Sequence, residues 1–181
     1  MVRMDTPDAV MARIAQGQER AIAGDREGAR RIFEEVWDAL QGSGDTAPDP
    51  LHVVTLAHYM ADVQTDPAEE LRWDLRALGA ADSLTDDRAR EHHSSLSVAG
   101  FYPSLHLNVA AAHHALGQSS EARHHLDRAA QSCEHLADDG YGYGYGYGYG
   151  RMIRGAVTRL RAELDATVGP PGQSGRRAQH R

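Results

Sequence analysis

Two stretches far apart in this chain follow one spacing rule. Counted from Val10, the residues Gly17, Gly24, Ala29, Phe33 and Val36 lie at offsets 7, 14, 19, 23 and 26, and counted from Pro103 so do Ala110, Gly117, Ala122, Leu126 and Ala129. The rule mixes side-chain size with turn chemistry. Two antiparallel helices approach closely only where small side chains face each other, and a glycine between them lets the chain reverse tightly. A chain carrying this rule twice is held to at least two similar helical hairpins.

The composition agrees. Only 6% of the 181 residues are aromatic against 41% apolar, and five of the seven tyrosines sit in one tract, so the interior must be built mainly from Ala, Leu, Val and Ile. That mixture suits closely packed helices better than sheets, whose strands favour β-branched and aromatic side chains. The chain therefore reads as all-α, with about eight helices and no convincing strand. Thr6-Pro7-Asp8 opens the first, Gly24-Asp25 divides it from a second ending near Leu40, and a third covers about Leu51 to Gln64. Asp66-Pro67-Ala68-Glu69 combines a cap, a first-turn proline and a capping-box acid, and starts a helix with the apolar stripe Leu71, Leu75, Leu78. A fifth helix runs from Asp86-Asp87 towards Gly100, a sixth starts at Tyr102-Pro103, a seventh follows Gly117-Gln118-Ser119, and the last spans about Met152 to Ala166. Residues 1–166 form one domain interrupted by a Tyr-Gly tract at 141–150, and 167–181 are too polar and too rich in Gly and Pro to pack, so disorder is expected there.

Several functions are disfavoured at this level. The formal charge of −7 repels phosphate backbones and anionic membranes, so neither nucleic acid nor lipid is an expected partner. All nineteen basic side chains are Arg, which excludes a phosphate-loop, Schiff-base or general-base lysine. Cys133 is the single cysteine, so no internal disulfide or multi-cysteine zinc site can form; a reducing compartment, the cytoplasm, is expected, with Cys133 a buried inert thiol. No GxSxG elbow, glycine-rich phosphate loop or HExxH is present. Of the eleven histidines, His92-His93, His113-His114 and His124-His125 are adjacent pairs, which diverge by about 100° on a helix and cannot share one site. No cofactor and no metal is expected.

The two spaced segments resemble the tetratricopeptide repeat (TPR) family in their period of about 34 residues and in the residue classes at these five offsets. The segment from Leu51 to Asp82 lacks the glycine turn and reads as a degenerate repeat. The strings Phe101-Tyr102-Pro103-Ser104-Leu105-His106-Leu107-Asn108 and Gly140-Tyr141-Gly142 with Met152-Ile153-Arg154-Gly155 are similar to a group of bacterial TPR proteins, in which a single Gly-Tyr-Gly leads almost directly into the Met-Ile-Arg helix. The resemblance implies a short right-handed solenoid or bundle that binds a peptide or protein segment without catalysis. It places Ser104, Leu107, Asn108, Ala111 and His114 on the concave, ligand-facing surface, with Tyr102 beside them. Asn108, the only asparagine, could pair with a peptide backbone there, or could make an interhelical hydrogen bond.

Other residues have two readings each. His58 and Asp62, four apart, could form an acid-base pair or an ordinary helix-surface contact. Tyr59, Trp73 and Arg76 are residue types that anchor interfaces and equally plug loose helical cores. The Tyr-Gly tract is expected to be an exposed loop, with self-association through its rings as an alternative. A histidine-using metalloprotein or enzyme, and a self-assembling homo-oligomer, stand as rival functions.

Overall fold

A computed structural model describes residues 8–42, 47–94, 96–136 and 148–167. The protein is all-helical, with no strand among the described residues. Its helices are α1 (Ala9–Ile22), α2 (Arg26–Gln41), α3 (Pro50–Asp62), α4 (Pro67–Ala81), α5 (Asp86–His92), α6 (Tyr102–Ala115), α7 (Ser119–Ser132) and α8 (Tyr149–Thr167), with 3-10 turns at Val98–Gly100 and Cys133–His135. Local chemistry sets most starts. Asp8, Asp25, Asp49, Asp66 and Thr85 each cap a helix by accepting from backbone N–H groups of its first turn.

Three boundaries differ from the sequence reading. Helix α1 starts only after Asp8, the last residue of Thr6-Pro7-Asp8, which is its cap. The fifth helix stops at His92 and only a 3-10 turn follows before α6. The last helix starts at Tyr149, inside the tract, where Tyr149 is buried with Ile153 and Val157. Thr167, expected to open the tail, still belongs to α8, and the expectations for residues 141–147 and 168–181 fall outside those described.

Three antiparallel hairpins, α1–α2, α3–α4 and α6–α7, stack in chain order, and each packs mainly on the next. The spacing rule has a direct physical outcome. Gly24 and Gly117 occupy the same turn position, with φ of 87° and 71°, a left-handed conformation that glycine adopts without a Cβ penalty. Gly17 lies against the Phe33 ring so closely that a Cβ would overlap it. Ile14, Ala29, Phe33, Val36 and Leu40 form the core of the first hairpin, and Leu107, Ala122, Leu126, Ala129 and Cys133, at the matching offsets, form that of the third. The first core is completed by Leu56 and Met60 of α3 and Val63 at its C-terminal cap, the third by Ile153, Val157, Leu160 and Leu164 of α8. Helix α8 thus does for the third hairpin what α3 does for the first.

The middle hairpin departs from the apolar stripe of α4. Leu75 is 44% exposed, whereas the face of α4 turned inward carries Asp74, Ala77 and Ala81. Small residues there bring α4 close to α3 and α6, whose Leu51, Val54, Ala57 and Leu105 complete this part of the core. Arg88 of α5 fastens the stack by bonding both Asp49 and Asp8, the caps of α3 and α1, while His52 donates to Asp8 at 2.7 Å. No described helix is long and apolar enough to cross a membrane.

Candidate functional site

The most unusual chemistry lies where α3, α4 and α6 meet. Four-residue spacing puts His58 and Asp62 on one side of α3, and Glu70 and Asp74 on one side of α4. Helix α6 contributes Asn108, whose side-chain amide lies 3.3 Å from Nδ1 of His58. Asp74 is 1% exposed, yet no described group meets hydrogen-bonding geometry with either carboxylate oxygen. Burial, reinforced by Glu70 and Asp62, pushes its carboxyl up to about 8, with Asn108 near enough to hold it down a little. At neutral pH this acid carries a proton.

Its neighbours are perturbed in the same sense. Loss of hydration raises Asp62, which His58 and Arg26 partly offset, and raises Glu70, with Asp62 adding to the effect. Burial lowers His58, so its imidazole is neutral at physiological pH. Arg26 of α2 donates to the Asp62 carbonyl oxygen at 3.1 Å. The junction therefore gathers three acids reluctant to ionise, a neutral imidazole and an amide. Such departures cost stability and cluster at functional positions. Among the described residues, no three His, Cys, Asp or Glu side chains are placed to hold a metal ion.

The expected groove residues divide around α6. Leu107 is buried against α8, and His114 lies 3.8 Å from Glu163 of the same helix. Asn108 points the other way, to α3. Between them Ala111 is exposed, and Ser104, half-buried, donates to the Phe101 carbonyl oxygen at 3.0 Å. Tyr102 donates to Asp82 at 2.9 Å and stacks on His106, and burial, reinforced by the Asp82 bond, pushes its hydroxyl up to about 12. Tyr59 stacks on Phe33 and adjoins His58. Arg76 lies over Trp73 at 4.5 Å and Trp37 at 5.3 Å, the two indoles meeting edge to face at 5.1 Å. This cation–π group joins α2 to α4.

The histidine pairs of α6 and α7 do interlock. Nδ1 of His106 is 3.1 Å from Nδ1 of His125, which also stacks on His113. His106 is 7% exposed, and burial beside His125, Arg128 and His124 lowers it to about 4, so this is a neutral, packed contact. Cys133 is buried and its thiol is pushed up by that burial, as expected of an inert core thiol.

Asn108, His58 and Asp62 stand out in the sequence, whereas Asp74 and Glu70 do not. An aspartate among Glu69, Glu70, Arg72 and Arg76 reads as a surface residue; the signal that it faces inward is its place in the small-residue stripe with Ala77 and Ala81. No protein-family model, curated protein or solved structure matches this chain.

Proposed function

We propose that the protein is a TPR-like, non-enzymatic scaffold that holds a peptide or protein segment along the face where α6 lies between α3 and α8. The observation that supports this most is the repetition. The first and third hairpins use the same positions for turn and core, and each is closed by one further helix, so α1, α3, α6 and α8 are equivalent first helices of successive units. Stacked hairpins of this kind leave a continuous surface of first helices, suited to extended ligands. On it, Ala111 and the half-buried Ser104 and Asn108 are accessible, while Leu107 and His114 are engaged by α8. The buried lone thiol Cys133 suits a reducing compartment such as the cytoplasm.

The test is selection from a displayed random-peptide library on the full chain, followed by calorimetry. Ala111→Arg, on the proposed face, should abolish binding, whereas Gln131→Arg, on exposed α7, should leave it unchanged. Equal binding by both variants and the wild type would refute the assignment of the face.

A further inference from the structure

We propose that this face reads a positively charged side chain, an arginine or lysine of an extended peptide, at the acidic junction of Asp62, Glu70 and Asp74 beside Asn108. The inference rests on the peptide-binding reading and adds the ligand's chemistry to it.

Three features of the junction favour a cation. Asp74 is 1% exposed, and apart from the nearby Asn108 amide no described group approaches either carboxylate oxygen as a donor, so it is a buried acid with little to compensate its burial. Asp62, at the exposed end of α3, and Glu70, half-buried at the start of α4, lie close enough to act on Asp74 and on each other. The nearby guanidinium is Arg26, which acts on Asp62 and Glu70 and hydrogen-bonds to the Asp62 backbone oxygen. His58, being neutral, offers no competing charge. The acids thus exceed the positive charge facing them from α2, α3, α4 and α6.

A guanidinium or ammonium arriving above Asp62 and Glu70 would favour ionised Asp74 and convert an uncompensated burial into an attraction. The absence of metal-ligand geometry among the described residues favours a cation carried on a side chain over a bare ion. Asn108 lies beside the junction, where its amide can also meet the ligand's backbone, and the net charge of −7 draws basic segments towards the protein.

Binding a cation here releases the Asp74 proton to solvent. The apparent Kd should fall by about tenfold between pH 6 and pH 8, as Asp74, poised near 8, becomes easier to ionise. Asp74 is faced by Asp62 from α3, Glu70 on its own helix and Asn108 from α6, and burial holds His58, beside Asn108, below its ordinary 6.5.

The experiment presents the full chain with two capped pentapeptide pools, one with a central arginine and one with the uncharged isostere citrulline, otherwise randomised. Enrichment is read by mass spectrometry, and the best arginine peptide is titrated by calorimetry at pH 6 and pH 8. Arginine peptides should be enriched at least about tenfold, matching one charged contact. The Asp62→Asn, Glu70→Gln double variant, which alters accessible side chains, should lose that preference. Asp74→Asn should remove the pH dependence, with circular dichroism confirming the fold. Equal enrichment of both pools would overturn the cation inference while leaving the peptide-binding reading intact, and enrichment of neither would overturn both. Spermidine binding as tightly as the arginine peptide would also overturn it, by making the ligand a small amine.

Discussion

Replacing Asp74 by asparagine should stabilise the protein at neutral pH. In the folded state burial raises the carboxyl from its ordinary 3.8 to about 8, while the unfolded chain titrates near 3.8. The folded state therefore keeps a proton that the unfolded state releases, and each pH unit between the two values costs about 1.4 kcal/mol of stability. The sign follows directly. Nothing is lost below pH 3.8, where both states are protonated, and the loss grows as pH rises towards 8. At pH 7 the ideal penalty is about 4 kcal/mol, and local relaxation and water entry bring it to about 2–4 kcal/mol. Asparagine has nearly the shape of protonated aspartate and no such penalty. Urea unfolding followed by far-ultraviolet circular dichroism at several pH values gives the difference between variant and wild type, in which contributions from other groups cancel. Asp74→Asn should exceed the wild type by about 2–4 kcal/mol at pH 7 and converge with it near pH 3.5. A variant no more stable at pH 7, or an advantage that does not change with pH, would refute the reasoning.

Other consequences can be measured on the same footing. Arg88→Gln removes the half-buried link between the caps of α1 and α3 and should cost about 1–2 kcal/mol in urea unfolding. Gly17→Ala drives a methyl group into the Phe33 ring and should cost about 2 kcal/mol or more; a neutral result would mean that the two helices separate easily. Tyr149→Ala should cost about 3 kcal/mol, because this last tyrosine of the tract is a core residue. The His106 ring, followed by proton NMR, should stay neutral until about pH 4. Its folded value lies below the unfolded one, so its contribution to stability is lost as pH falls from 6.5 towards 4, opposite in sense to Asp74.

The first and third hairpins were legible in the sequence because their constraint is local and repeated. A turn glycine and a set of small and large residues at fixed offsets leave little choice of packing, and every position of the rule is buried or forms the turn. The middle hairpin was legible only in its caps, Asp66-Pro67 above all. Its inner face could not be found from hydrophobicity, because close helix packing selected Ala77 and Ala81 and turned Leu75 outward. The same effect hid Asp74. Asn108 was found, being the single asparagine on a helix whose inner side the spacing rule defines, but its proximity to His58 depends on how hairpins stack, which spacing within one hairpin cannot specify. The body of α8 was legible as a helix, whereas its start at Tyr149 was hidden by the uniform tract.

The most direct test of the account is a carbon-13 NMR titration of the Asp74 side-chain carboxyl in the folded, ligand-free protein. A midpoint near 8 is expected, far above the ordinary aspartate value of 3.8. A midpoint below 5 would show Asp74 ionised at neutral pH, and the junction of α3, α4 and α6 would lose the feature that marks it as a site.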